Sequence, residues 1–108
     1  AQLRVVNNAP VTRNDPALTA RMLPVLRASA GADNVVELPL STVAEDFSQF
    51  ASVAPGFYFF VGSTPRGVDA RTAPNNHSPQ FFLDEGALDV GARALLSATL
   101  DYLAASAR

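Results

Sequence analysis

The sequence has 108 residues, of which 8 are basic, 10 are acidic and one is histidine, so its formal net charge at pH 7 is −2. This length corresponds to a single domain, and 48% hydrophobic against 17% charged residues indicates a folded rather than a disordered chain. The slightly acidic balance offers no electrostatic footprint for nucleic acid, and no apolar run reaches the ~18–20 residues that cross a bilayer. We therefore expect neither nucleic-acid nor membrane partners, and the compartment stays unassigned.

Missing residue types exclude several kinds of chemistry. The chain contains no cysteine, which excludes disulfides, thiolate metal ligands and a cysteine nucleophile within it. Its basic residues are all arginine, so it offers no lysine for Schiff-base chemistry or for a phosphate-binding loop. Its single histidine cannot build a multi-histidine metal site on its own.

A strand–helix unit is predicted at the start of the chain. The strand is expected over residues 3–6, before a helix with Asp15 as N-cap, Pro16 in its first turn and Gly31 as its end. Pro24 lies inside this helix and is expected to kink it. The apolar spacing assigns four residues to the buried face: Leu18, Met22, Val25 and Leu26.

A second strand–helix unit follows. Its strand is expected over residues 35–38, and a capping box from Thr42 to Glu45 is expected to open its helix. The inner face of this helix is predicted to contain Val43, Phe47, Phe50, Ala51 and Ala54.

The second half of the chain combines a strand, a loop and a helix. Residues 57–61 are an unbroken apolar run, which is typical of a strand covered on both faces. A loop without periodicity follows over 62–79, and Asp84 is expected to cap a final helix. The stripe predicted to face the core is Leu88, Ala92, Leu95, Leu96, Thr99 and Leu103. The element order predicts an α/β fold with a largely parallel sheet.

Two places in this fold could carry chemistry. His77 follows the predicted central strand, and ligands of open α/β sheets bind beyond the carboxyl ends of the strands. Its imidazole could be a metal ligand or a general base, or it could be a surface or capping residue. Glu45 and Asp46 at a helix start could complement the helix dipole or border an anion site.

Two loop arginines are a third candidate group. Arg66 and Arg71 could each bind a carboxylate through two parallel hydrogen bonds, or could simply be solvated.

Four blocks of the sequence, taken in order, resemble one known family. They are residues 44–48 (Ala-Glu-Asp-Phe-Ser), 55–62 (Pro-Gly-Phe-Tyr-Phe-Phe-Val-Gly), 77–79 (His-Ser-Pro) and 82–88 (Phe-Leu-Asp-Glu-Gly-Ala-Leu). Their order and spacing are similar to the C-terminal portion of the metal-dependent aminoacylase/carboxypeptidase family of amidohydrolases, in its hippurate hydrolase and auxin-conjugate hydrolase branch. The resemblance runs from Leu3 to Leu103.

The resemblance implies that this chain is an incomplete part of a layered, largely parallel-sheet catalytic domain of zinc-peptidase type. Residues 1–8 would be the last strand of an inserted lid or dimerisation domain, and residues 9–108 the C-terminal part of the catalytic domain. The complete enzyme would be a homodimer holding two divalent metal ions, zinc first, with manganese or cobalt as alternatives.

The resemblance also implies roles for individual residues. His77 corresponds to the last metal ligand of the family, and Ala44 and Glu45 would border the substrate pocket. No catalytic base of the family falls in this segment. Val43 departs from the family pattern, in which glycine or another small residue precedes the Glu-Asp-Phe block, and this departure bears on substrate choice.

The implied function is hydrolysis of an amide bond in N-acyl amino acids or small peptides, with this segment inert alone. Two alternatives stay open: a stand-alone, non-catalytic α/β interaction module, or a family member that has lost its metals. A lid-like region upstream, preceded by His-x-Asp and Glu-Glu motifs, would favour the enzyme over both alternatives.

Overall fold

Three α-helices and one 3₁₀ turn are the regular elements of the computed structural model, within the residues that it describes: 1–4, 9–41 and 44–106. The helices are α1 (Pro16–Ala30), α2 (Phe47–Ala51) and α3 (Gly86–Ser106), and the 3₁₀ turn is Ala32–Asn34. Helices α1 and α3 pack against each other, and they contribute the buried apolar residues of the described part.

Local signals set the ends of α1 as predicted. The Asp15 side chain accepts the N–H of Leu18 at 2.7 Å, and Pro16 occupies the first turn. At the other end, Gly31 has a φ of +90°, which residues with a side chain rarely adopt. Its N–H donates to the Arg27 carbonyl and ends the helix. The helix continues through Pro24 to Ala30.

The buried contact between α1 and α3 pairs large side chains with small ones. Met22 and Leu26 of α1 are buried, as predicted, and Ala94 and Ala98 are the buried apolar residues of α3, the helix in contact with α1. Alanine at these two positions permits a close approach of the two helices, because its side chain is short. The predicted buried face of α1 is therefore confirmed in part: Met22 and Leu26 are buried, whereas Leu18 and Val25 are half-buried.

An exposed ion pair supports the same contact. Arg21 of α1 donates to the Asp101 carboxylate at 2.9 Å and to the Asp101 carbonyl at 2.6 Å. Its guanidinium also lies 5.2 Å from the centre of the Tyr102 ring.

The predicted orientation of the last helix is wrong. Asp84 accepts the N–H of Gly86 and opens the helix as expected, but the stripe that we expected in the core is exposed. Its exposed members are Leu88, Ala92, Leu95, Leu96, Thr99 and Leu103. Helix α3 has one apolar side with leucines and another with alanines. Apolar spacing favours the leucine side as the buried one, because leucines are larger. In the structure the buried apolar residues of α3 are instead Ala94 and Ala98.

The predicted α/β fold with a largely parallel sheet is also wrong, because no residue of the described part lies in a strand. Residues 35–38 and 57–61, expected as strands, have no regular secondary structure. High β-propensity reports how well side chains fit a pleated, half-buried surface. A sheet also needs neighbouring strands to pair with, and the main chain at Tyr58 is bonded instead to the side chain of Asn14.

Some predictions fall on residues outside the described ranges. They concern residues 5–8 of the expected lid strand, the cap at Thr42 and the departure at Val43. Residues 1–4, the described part of that expected strand, have no regular secondary structure. Helix α2 itself is shorter than expected, beginning at Phe47, and Phe50 and Ala54 of its predicted inner face are exposed.

The molecule is extended and exposes much apolar surface. Its radius of gyration is 16.6 Å, against about 13 Å for a compact chain of this length. Its accessible surface is 9046 Å², against roughly 5,800 Å² for a folded monomer of this mass. None of the helices in the described ranges is both long enough and apolar enough to span a bilayer.

Exchanging side-chain size on the two faces of α3 tests which face packs on α1. In the 108-residue chain, Ala94→Leu should lower the free energy of unfolding by about 1–3 kcal/mol, because the site is 4% exposed and closely packed. Leu96→Ala should change it by no more than about 0.5 kcal/mol, because Leu96 is 58% exposed. Thermal unfolding followed by circular dichroism at low concentration measures both. The opposite ranking would place the leucine stripe in the core.

Candidate functional site

One cavity, of about 490 Å³, brings together residues that are far apart in the sequence. It is lined by Ala44, Glu45, Phe60, Asn75, Asn76 and His77. Ala44, Glu45 and His77, the three residues predicted to form the site, therefore line a single cavity. We call it the His77 cavity.

A turn holds His77 at this cavity. The Asn75 side-chain oxygen accepts the His77 N–H at 2.9 Å, and the Asn75 carbonyl accepts the Ser78 N–H at 2.9 Å. The His77 residue is exposed. As predicted, the described loop over 62–79 contains turns and bends but neither helix nor strand.

Glu45 is fixed by the first residues of α2. The Ser48 hydroxyl donates to the Glu45 carbonyl at 2.6 Å, the Ser48 N–H donates to the same oxygen at 3.0 Å, and Ser48 is buried. Glu45 thus lies just before a helix of five residues rather than inside the start of a longer one. The exposed Asp46 makes no side-chain capping bond to α2.

Tyr58 does not line the cavity but interacts with residues of its wall, and the sequence analysis did not indicate it. Burial raises the pKa of its hydroxyl, and the Glu45 carboxylate raises that pKa further through its charge and by accepting a hydrogen bond. The Tyr58 ring lies 5.3 Å from that of Phe47 and meets the Phe60 ring edge-on at 5.2 Å. Tyr58 thereby connects two residues of the cavity wall, Glu45 and Phe60.

An alternation within the apolar run is the signal that could have identified Tyr58. The rings of Phe57 and Phe59 are neighbours at 5.8 Å, as are those of Tyr58 and Phe60. Contacts between residues two apart are typical of an extended segment with two distinct sides. We interpreted the run as uniformly buried, which hid the side that carries the hydroxyl.

Three hydrogen bonds tie this segment to the residues before α1. The Asn14 side-chain N–H donates to the Tyr58 carbonyl at 2.8 Å, and the Tyr58 N–H donates to the Asn14 side-chain oxygen at 2.7 Å. The Asp15 N–H donates to the Gly56 carbonyl at 2.8 Å. Gly56 is buried, and a Cβ there would lie 3.0 Å from side-chain atoms of α2, so glycine allows this close approach.

The loop arginines do not line the His77 cavity. Arg71 donates to both carboxylate oxygens of Asp69, at 3.1 and 2.8 Å, and this pairing lowers the pKa of Asp69. Its guanidinium is therefore already engaged with a carboxylate of the same loop. Arg66 is exposed.

The donors of the cavity fit a metal site only in part. An imidazole and a carboxylate are ligand types that zinc takes, but a zinc site needs three or four protein ligands. The described ranges contain no group of three or more histidine, aspartate or glutamate side chains placed to hold a metal ion. His77 and Glu45 could therefore supply only part of a site whose other ligands come from outside these residues.

Relatives cover most of this chain. It is 39% identical over 85 residues, 79% of its length, to Thermostable carboxypeptidase 2 of Saccharolobus solfataricus. It is 34% identical over 94 residues, 87% of its length, to IAA-amino acid hydrolase ILR1-like 4 of Arabidopsis thaliana. A third relative, putative glutamate–cysteine ligase 2-3 of Rhodococcus jostii, is 30% identical over 98 residues, 91% of this chain.

These matches cover only a small part of each relative. The chain spans 20% of the carboxypeptidase, 21% of the IAA-amino acid hydrolase and 12% of the protein with the ligase name. No family model matches the chain. No solved structure matches it either.

The relatives confirm the resemblance drawn from the four sequence blocks. The chain belongs to the aminoacylase/carboxypeptidase family of amidohydrolases, in the branch of the auxin-conjugate hydrolases. Proteins of this family include hydrolases of peptides and of amino-acid conjugates, as the names of the relatives state.

Removing the Glu45 charge tests the contact with Tyr58. Glu45→Gln should lower the pKa of the Tyr58 hydroxyl, because the charge and its hydrogen bond are lost while burial remains. Tyrosinate absorbance during alkaline titration measures this in a Tyr102→Phe background, which leaves one tyrosine in the chain. Asp46→Asn is the matched control, because it removes a neighbouring but exposed carboxylate. An unchanged titration in Glu45→Gln, or an equal shift in the control, would contradict the contact.

Proposed function

We propose that this chain is the C-terminal segment of an enzyme that hydrolyses an amide bond in N-acyl amino acids or small peptides. The observation that carries the proposal is the His77 cavity, which combines an imidazole, a carboxylate and an aromatic ring from three separate segments. Ala44, Glu45 and His77 are also residues of the blocks on which the family resemblance rests. The names of the relatives support the same class of reaction.

The proposed enzyme is metal-dependent. Bound divalent ions, zinc first, would polarise the amide carbonyl and activate a water molecule. Within this chain, His77 would be a ligand through a neutral ring nitrogen. Glu45 would accept a hydrogen bond from the other ring nitrogen, the kind of partner that ligating histidines usually have. Ala44, with its small side chain, would leave room for substrate beside them.

The exposed apolar surface supports the proposal that other parts of a larger protein cover this chain. Helix α3 presents four leucines, each more than half exposed, on the side opposite to α1: Leu88, Leu95, Leu96 and Leu103. Exposed apolar patches of this kind usually mark interaction surfaces. We assign residues 9–108 to the catalytic domain and residues 1–8 to the inserted domain, and we propose that the complete enzyme is a homodimer.

Replacing His77 tests its proposed role in the complete protein. His77→Ala should lower the bound metal per subunit from two ions toward one and reduce amide hydrolysis at least a hundredfold, because loss of a ligand releases its ion. The melting temperature in the presence of chelator should not change, because His77 is exposed and buries little surface. Elemental analysis, hydrolysis of a panel of N-acyl amino acids and thermal unfolding measure these effects.

The matched control for His77 is Arg66→Ala, an exposed residue of the same loop outside the cavity. It should retain metal content and rate. If His77→Ala retains them as well, His77 is not a ligand. If the unmodified protein shows no metal-dependent hydrolysis, the non-catalytic alternatives are favoured.

The isolated 108-residue chain should be inactive and should self-associate. It lacks a complete set of metal ligands among its described residues, and its leucine stripe on α3 is open to pairing. Sedimentation velocity should show concentration-dependent association, which the pair Leu96→Gln and Leu103→Gln should weaken. A stable monomer with a radius near that of a compact domain, or metal-dependent turnover by this chain alone, would contradict the assignment.

A further inference from the structure

We propose that Asn14 is a positioning residue of the His77 cavity: its side chain holds the main chain at Tyr58 and thereby fixes the cavity wall formed by Phe60 and Glu45. This inference rests on the proposed function, because it assumes that the cavity is the reaction site. Asn14 does not line the cavity itself.

The Asn14 side-chain amide pairs with the Tyr58 main chain in the way that a neighbouring strand would. Its side-chain amide meets both polar main-chain groups of Tyr58, donating at 2.8 Å and accepting at 2.7 Å. Both bonds are partly buried, so leaving either group of Tyr58 unpaired would be costly. Asparagine alone offers a donor and an acceptor at this reach: aspartate lacks the donor at neutral pH, and glutamine is longer by one methylene.

The position of Tyr58 is transmitted to the cavity through its side chain. The ring packs edge-on against Phe60, and it lies 5.3 Å from the ring of Phe47, two residues after Glu45. Phe60 is 55% exposed, so little else of this chain covers it. A displacement of the Tyr58 main chain would therefore move two residues of the wall together.

The same junction connects the wall to α1. Asn14 precedes the N-cap Asp15, whose N–H holds Gly56 while its carboxylate caps the helix. The bonds from Asn14 and Asp15 thus reach residues 56 and 58, one on each side of Phe57. This is how helix α1 is linked to the cavity.

The test uses the complete protein and two variants of Asn14. Asn14→Ala should speed hydrogen exchange at the Tyr58 N–H by about tenfold or more, because its acceptor is lost. In the same variant, kcat for N-acyl amino acids should fall by about tenfold to a hundredfold, with KM changed less than about threefold. Asn34→Ala is the matched control: the Asn34 side chain also donates to a main-chain carbonyl, that of Ala30, at 2.8 Å. It should change neither quantity.

Asn14→Asp keeps the test valid if the alanine variant does not fold. At neutral pH its carboxylate can accept the Tyr58 N–H, but it has no donor for the Tyr58 carbonyl and repels that oxygen, and protonation restores the donor. Because only the protonated form makes both bonds, the pKa of this carboxyl should lie above the ordinary value of about 3.9. Arg13 and Asp15 flank the position, and the Asp15 carboxylate is bonded to Leu18 N–H. Exchange at Tyr58, corrected for its intrinsic pH dependence, should return toward that of the unmodified protein as the pH falls through this pKa.

Each outcome decides the inference. Faster exchange with lower kcat in Asn14→Ala, together with acid recovery in Asn14→Asp, supports it. Unchanged exchange, or faster exchange with kcat retained, overturns it. Exchange is measured without substrate, so it still shows whether Asn14 holds Tyr58 if the unmodified protein hydrolyses no amide. That last result would reject the proposed function and, with it, a role for Asn14 in catalysis.

Discussion

The pairing of the Asn14 side chain with the main chain of Tyr58 is the interaction on which the arrangement of this chain depends. An apolar segment cannot be buried unless its N–H and carbonyl groups are bonded. In the described residues no strand is present to bond them. Asn14 meets this requirement at Tyr58, and Gly56 makes the close approach to α2 possible. The aromatic contacts and the cavity wall follow from that placement.

The described part of the molecule has a small apolar core, so single hydrogen bonds and ring contacts outside it contribute much of the stability. The buried apolar residues of the described part are Met22, Leu26, Ala94 and Ala98, all in the contact between α1 and α3. Two alanines contribute little apolar area, so this contact alone supplies only a few kcal/mol by area. The stability of the cavity wall depends on hydrogen bonds and ring contacts outside this core. The wall is therefore more sensitive to loss of a single polar side chain than a site on a well-buried element would be.

Features that depend on residues close in sequence could be predicted, and features that depend on distant residues could not. The cap at Asp15 and the end at Gly31 depend on neighbouring residues, and the structure confirms them. The sheet needed partners distant in sequence, and the orientation of α3 needed the shape of its neighbour, so periodicity alone gave the wrong answer for both. The resemblance pointed to His77 and Glu45, which do line one cavity. Apolar periodicity does not indicate the bonds between the Asn14 side chain and the Tyr58 main chain, because they are polar.

Glu45 and His77 are held differently in the cavity. This difference has a physical rationale if another part of the protein supplies the remaining metal ligands. A metal site completed by residues from another part of the protein forms more favourably when the side chains already present are held in place. The reason is that ordering each side chain costs conformational entropy. Here the main chain of Glu45 is held by Ser48, which donates to its carbonyl. His77, by contrast, is held through its main chain in the Asn75 turn and is exposed. In the enzyme that we propose, an exposed imidazole beside a held Glu45 would let His77 adjust when the other ligands are in place.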